Sequence, residues 1–169
     1  MFKRLPDGTP VLIRPIRPDD KSLLSTGLTQ LSEESVQRRF LSPKRRFTNA
    51  ELRYLTEVDG WDHLALVAEA PTSPNRRCIG VARYVRLQED HEAAEVAFVV
   101  ADDFQRRGVA TVLAEELAQR AKMRGVKRFT ATMASRNVAA HRLMAKLSGH
   151  LERHHAGAGV DELSGSLAA

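Results

Sequence analysis

Stretches that alternate apolar and polar positions are interleaved with stretches whose apolar residues recur every three or four positions. These are the signatures of strand and helix. Val11 and Ile13 within Thr9 to Ile16, beside an Arg-Pro pair, predict an opening edge strand, because proline cannot donate to a ladder. Asp19 and Asp20 then stand where caps belong for a helix running to about Gln30. Ser32 or Ser35 would cap a second helix. Thr48, with Glu51 three residues on, has capping-box spacing for a third that ends near Gly60.

Beyond Trp61 the period shortens. His63 to Ala70 and Cys78 to Leu87 read as a hairpin around a Pro-Thr-Ser-Pro-Asn turn, and Ala94 to Val100 as the next strand. An alanine-rich helix follows over about Val109 to Arg124, stopped by Gly125. A strand from Lys127 to Met133 and a helix from Asn137 to Leu147 come next, then two short strands around Gly157-Ala158-Gly159. A meander followed by a crossover helix predicts an α+β fold with a mixed, mostly antiparallel central sheet flanked by helices. No repeat or linker divides the chain, so residues 1–169 read as a single domain.

With 169 residues, 43% of them hydrophobic and 28% charged, the chain can bury a core, and no apolar run is long enough to span a bilayer. The opening Met1-Phe2-Lys3-Arg4-Leu5-Pro6 is not followed by a signal-peptide core, and the expected location is the cytoplasm. A lone cysteine, Cys78, suits a reducing compartment and reads as a small apolar strand residue. A net charge of +5 favours polyanions. Its densest patch, Arg38, Arg39, Lys44, Arg45 and Arg46 with Phe40 and Phe47, lacks any nucleic-acid module and reads as helix ends and a solvated loop. The histidines show no metal-ligand spacing: His154 and His155 are adjacent, so on a strand they face opposite sides. Tyr54 and Tyr84 read as packing residues, with an acceptor groove as the alternative.

The chemistry gathers at Gln105-Arg106-Arg107-Gly108-Val109-Ala110, between a strand and a helix. The first N–H groups of a helix have no intrahelical partners and its dipole favours an anion, so this turn is a candidate phosphate cradle. Gly108 permits a close approach and unusual backbone angles. On spacing alone, an ordinary strand-to-helix turn reads the same.

The hexapeptide matches the pyrophosphate signature of the GNAT superfamily of acyl-CoA-dependent N-acyltransferases, and Asn137-x-x-Ala140-x-x-Leu143-x-x-Lys146-Leu147-x-Gly149 resembles a second family motif. The order of elements from Thr9 to about Leu167 is similar as well. The opening (residues 12–20), Leu31 to Ser35, Arg39-Phe40 and Ala50 to Thr56 resemble a narrower branch, the bacterial protein lysine acetyltransferases of the Pat type. Some members of that branch carry a regulatory domain, for which this chain has no room.

The resemblance implies acetyl-CoA as co-substrate. Its pyrophosphate would lie on the N–H groups of Arg106 through Thr111, including Gly108, Val109 and Ala110, and its pantetheine arm along Phe98, Val99 and Val100, with Asn137 as a polar contact or plain helix cap. For a lysine acceptor, an amine of pKa about 10.4 costs about 4.6 kcal/mol to neutralise at pH 7, so a base is valuable. Glu95 interrupts the apolar stretch Ala93 to Val100 and matches the branch's strand glutamate. It is the candidate base, with burial expected to raise its pKa and Glu92 as fallback. Where many family members place a tyrosine to protonate the leaving thiolate, this chain has Met144; His141, one turn earlier, is a substitute only if it faces inward. The expected activity is direct acetyl transfer to a primary amine, a protein lysine foremost, in a ternary complex. A small amine, an N-terminal amine, or CoA sensing without catalysis are the alternatives. A homo-oligomer is compatible with the sequence.

Overall fold

A computed structural model describes residues 1–71 and 76–168. Eight strands form one sheet: β1 (Phe2–Arg4), β2 (Pro10–Pro15), β3 (His63–Pro71), β4 (Arg76–Arg86), β5 (Ala93–Val100), β6 (Arg128–Ala134), β7 (Ser148–Gly157) and β8 (Val160–Leu167). Their spatial order is β1-β2-β3-β4-β5-β6-β8-β7. β5 and β6 are parallel, and every other neighbouring pair is antiparallel. Five helices flank the sheet: α1 (Lys21–Thr29), α2 (Glu33–Phe40), α3 (Asn49–Thr56), α4 (Val109–Met123) and α5 (Val138–Leu147). The α+β expectation holds, with mixed and mostly antiparallel pairing.

Alternation along the central strands assigns the two faces. Leu64, Leu66 and Ala68 of β3, Ala82 and Tyr84 of β4, and Ala94 and Val96 of β5 pack in one core with Leu113, Leu117 and Ala121 of α4. Ala65, Val67 and Val81 meet Leu24 of α1 in a smaller core, with Leu52 and Leu55 of α3 packed against it. α4 sits close on β4 because residue 80 is glycine: a Cβ there would lie 2.9 Å from Leu113 Cδ1 and 3.0 Å from Val109 Cγ1.

Several boundaries depart from the sequence pattern. Thr9 to Ile16 is not the edge, because β1 pairs outside β2; three residues are too few for a period to register. Asp20 does not cap α1 with its side chain. Its carboxylate instead accepts from Arg17 N and from Arg14 Nη1 and Nη2, at 2.7, 2.7 and 2.8 Å. Burial pushes that carboxyl up, but the Arg14 bonds and the Arg17 amide outweigh it and hold it low. α3 ends at Thr56, before Gly60, while its capping box forms as expected. The closing strands are long, ten and eight residues. Their pattern is disguised because β7 is an exposed edge and β8 turns Asp161 and Gly165 inward alongside Leu163. In the expected Pro71–Asn75 turn, Thr72 to Asn75 lie outside the described residues.

Candidate active site

The sheet is split where the parallel pair β5 and β6 parts. β5 and β6 are in register over Ala93↔Arg128, Ala94↔Phe129 and Glu95↔Thr130, and the rest of β5 has no partner on that side. Into this gap opens a groove of about 620 Å3. Phe98, Val99 and Val100 line one wall, Gln105, Arg106, Gly108, Ala110 and Thr111 the end, and Asn137 the α5 side.

At the end of the groove the chain turns sharply into α4. Arg106 (φ 59°) and Gly108 (φ 91°) both lie in the left-handed region. Gly108 is the N-cap of α4 and no side chain caps the helix, so its first N–H groups are left to the groove. Gln105 does not reach outward. Its Nε2 donates to Val100 O (3.2 Å) and Ser35 Oγ (2.9 Å), tying the turn to β5 and α2. Arg107 also turns away, onto Asp7 (2.8 Å), Thr9 Oγ1 (2.8 Å) and the Phe104 ring. Val109 is buried in the core. Of the residues expected around the cofactor, then, Arg107 and Val109 do not present their side chains to the groove. Asn137 caps α5, its Oδ1 accepting from Ala140 N at 3.2 Å, and still lines the groove. The cap is formed, and the same residue borders the groove.

Sequence reasoning missed the cations Arg38, Arg142 and Lys146, which also line the groove. Arg142 and Lys146 are one helical turn apart on α5, and that spacing was the available signal. Groove width, uncapped helix amides and added cations together fit a long, phosphorylated thioester such as acetyl-CoA.

Glu95 stands at the other end. It is exposed rather than buried, which overturns the expected desolvation. Ala94 and Val96 point into the core, and alternation turns Glu95 to the opposite face, where the α1–α3 layer ends. It borders both the groove and a second opening of about 480 Å3 lined by Thr130, Thr132, Glu152, His154 and Glu162. Glu92 lies at the far end of β5, ion-paired to Lys127 (2.6 Å) and outside both openings.

Met144 is buried in the groove wall, 1% exposed, in the place where a tyrosine was sought. His141 faces away from the groove and reaches Asp161 at 3.3 Å. Asp161 is fully buried and also meets Ser135 (2.7 Å), His155 (2.9 Å) and Arg153 (2.6 Å). The His155 bond first, then Ser135, holds its carboxyl down at about 2. Tyr84 is buried with its hydroxyl donating to Trp61 O, and Tyr54 lies exposed against the His63 ring. Burial pushes the Cys78 thiol up to about 11, which disfavours the thiolate. Among the described residues no group of side chains is arranged to hold a metal ion, and no helix is long and apolar enough to cross a membrane.

Residues 32–150, more than half of the chain, match the acetyltransferase (GNAT) family. The chain belongs to that family. Within it, the chain resembles the Pat-type branch. It is 37% identical over 152 residues to acetyltransferase Pat of Mycolicibacterium smegmatis, covering 89% of this chain and 44% of that protein. It thus spans less than half the length of that relative. Over 143 residues it is 32% identical to acetyltransferase PA5475 of Pseudomonas aeruginosa, covering 85% of this chain and 74% of that one. The solved GNAT domain of the S. lividans PAT superposes with a TM-score of 0.86 at 30% identity, covering 99% of this chain and 96% of that domain. The yncA structure from Salmonella typhimurium, solved with acetyl-CoA, shares the fold with a TM-score of 0.71 at 17% identity, covering 93% and 92%.

Proposed function

We propose that this GNAT domain transfers the acetyl group of acetyl-CoA to a primary amine, a protein lysine, by direct attack in a ternary complex with Glu95 as base. The observation that carries this reading is continuity: the groove runs from the uncapped N-terminus of α4 to Glu95, where the second opening begins. Bound acetyl-CoA supplies a thioester whose carbonyl carbon accepts the amine.

The chain's residues do the rest. The α4 amides and the α5 cations hold phosphates. The unpaired edge of β5 aligns the arm and offers N–H groups to the carbonyl oxygen. Glu95 takes the ammonium proton, directly or through water, which its exposure permits. With Met144 buried in the wall, thiolate departure relies on solvent, and a thiol pKa of about 8.5 makes that tolerable near neutral pH. A lysine is favoured over a neutral acceptor by the three glutamates of the second opening, Glu95, Glu152 and Glu162. Its arginine, Arg153, is already paired with Asp161.

The test is incubation with labelled acetyl-CoA and host lysate, followed by mass spectrometry, for the parent and Glu95→Gln. The parent should label protein lysines, with Glu95→Gln slower by about 10²- to 10⁴-fold. Equal labelling by both would remove Glu95 as base, and labelling of small metabolites alone would remove the protein acceptor.

A further inference from the structure

Sheet register puts Glu95 at the end of a row of side chains that crosses to the helical layer. His63 of β3 pairs with Val85 of β4, and Val85 with Glu95 of β5, so all three point to the α1–α3 side of the sheet. Two strand spacings, about 10 Å, separate the backbones of His63 and Glu95. Tyr54, on α3, lies against the His63 ring with 4.9 Å between centroids. It stands off the apolar stripe of its own helix: Leu52 and Leu55 pack into the smaller core, while Tyr54 is 58% exposed. Exposure of a single aromatic carries no meaning by itself. The neighbours of this one do.

Arg83 fixes both sides of that ring contact. Its guanidinium donates twice to Leu55 O, at 3.3 Å each, which holds the last turn of α3, and once to His63 Nε2 at 3.1 Å. Because arginine only donates, Nε2 accepts and the imidazole is neutral, in keeping with the burial and the Arg83 charge that hold His63 at about 4. Arg39, from α2, joins this group to the base. Burial pushes its guanidinium down, and Glu95 and then Tyr54 counter that push. Arg83 is held down by burial and then by Arg39, with Tyr54 again opposing. Arg39 also lines the cofactor groove together with Glu95. Tyr54 therefore flanks the approach to Glu95 from the helical side, and the glutamate-lined opening flanks it from the other.

We propose that Tyr54 recognises the acceptor: its ring receives the aliphatic stem of the lysine whose amine reaches Glu95. This rests on the acetyl-transfer reading above and names a residue that selects the acceptor. An aromatic face suits such a side chain in two ways, since the methylenes bury apolar area against the ring and the ammonium is drawn to the ring's negative face before it gives up its proton. The neutral His63 ring behind Tyr54 adds no charge to repel that ammonium. Tyr54 is not among the residues that wall the cofactor groove, so its removal separates acceptor recognition from cofactor binding.

Steady-state kinetics on the full chain with acetyl-CoA and the peptide Gly-Gly-Lys-Gly-Gly, blocked at both ends, test this, since the lysine is the peptide's one amine and glycine offers no other side chain. Tyr54→Ala should raise KM for the peptide about tenfold with kcat and the KM for acetyl-CoA unchanged, the pattern of lost acceptor binding. Tyr54→Phe should behave like the parent and Tyr54→Leu should fall between, and because the side chain is exposed the melting temperature should hold in all three. An unchanged peptide KM in Tyr54→Ala overturns the proposal. So does a fall in kcat alone, which would put Tyr54 in the chemical step, or a Tyr54→Phe variant as impaired as Tyr54→Ala, which would assign the effect to the hydroxyl. A parent that binds acetyl-CoA by calorimetry yet leaves the peptide unacetylated would strike the protein-lysine reading and this assignment with it, a different outcome from acetylation that is indifferent to Tyr54.

Discussion

Gly108 carries two constraints that no other residue type meets. Its φ of 91° is left-handed, and a Cβ at that position would lie 2.8 Å from Pro6 Cδ, in the turn between β1 and β2. Gly125 has a similar φ of 82° but open space around it. Both alanine variants should therefore lose about 1–3 kcal/mol of stability in urea titration from backbone strain, while Gly108→Ala alone, by displacing the turn, weakens CoA binding tenfold or more by calorimetry. His63 supplies a second residue-scale prediction. Burial first, then Arg83, holds it at about 4, below its ordinary 6.5, so the folded state resists a proton that the unfolded chain accepts. Its contribution to stability is complete above about pH 6.5 and is lost as pH falls toward 4. Between pH 7 and pH 5 the parent should thus lose more urea stability than His63→Asn does. The hexapeptide was legible in the sequence because its constraint is local backbone geometry. Arg39 and Arg83 were not: 44 residues apart in the chain, they come together only through sheet register and the packing of α2.

Among the elements, α2 is the one fastened directly to the cofactor turn. Asp102, just after β5, accepts from Ser32 N (3.0 Å), Ser32 Oγ (2.6 Å) and Ser35 Oγ (2.8 Å), while Ser35 accepts from Gln105. Burial pushes the Asp102 carboxyl up and the serine bonds, acting together, hold it low. The serines that read as alternative caps therefore divide the work. Ser32 caps α2 through Ser35 N, and Ser35, inside the helix, links Asp102 to the turn. Ser35→Ala should leave α2 capped and lower melting only modestly, yet weaken acetyl-CoA binding severalfold, because Gln105 loses one of its two anchors; a full-strength CoA isotherm would show that β5 alone holds the turn. At this scale the sequence marked helices through their caps and missed what a cap could not announce. β1 was too short for a period, and β7 lies at an edge where no second face enforces alternation. Glu95 misled for a related reason. The stretch Ala93 to Val100 looks buried on both faces, but only Ala93, Ala94 and Val96 are buried, Ala97 to Val100 are half-buried along the groove, and Glu95 is exposed.

For the whole molecule the decisive feature is that two half-sheets meet through three residue pairs, Ala93 to Glu95 against Arg128 to Thr130, and then diverge. Above that junction the walls of the gap are bridged by α4 and α5 on one face, with α2 reaching β5 on the other. A ligand seated there completes the backbone pairing of β5 and ties the α4 N-terminus to α5. Such a ligand binds the folded chain and not the unfolded one, and at a hundredfold excess over its dissociation constant stabilises it by about 2.7 kcal/mol. Acetyl-CoA should accordingly raise the melting temperature in a concentration-dependent way. Amide hydrogen exchange should slow at Val96 to Val100, at Arg106 to Thr111 and at the start of α5, with β1 and the outer edge of β7 unchanged. Slowing confined to residues 38–47 would place the binding surface on the arginine-rich loop instead, and uniform slowing would mean that the halves do not open independently. The expected pattern follows from topology alone, since the residues that gain partners are those the split sheet leaves without them.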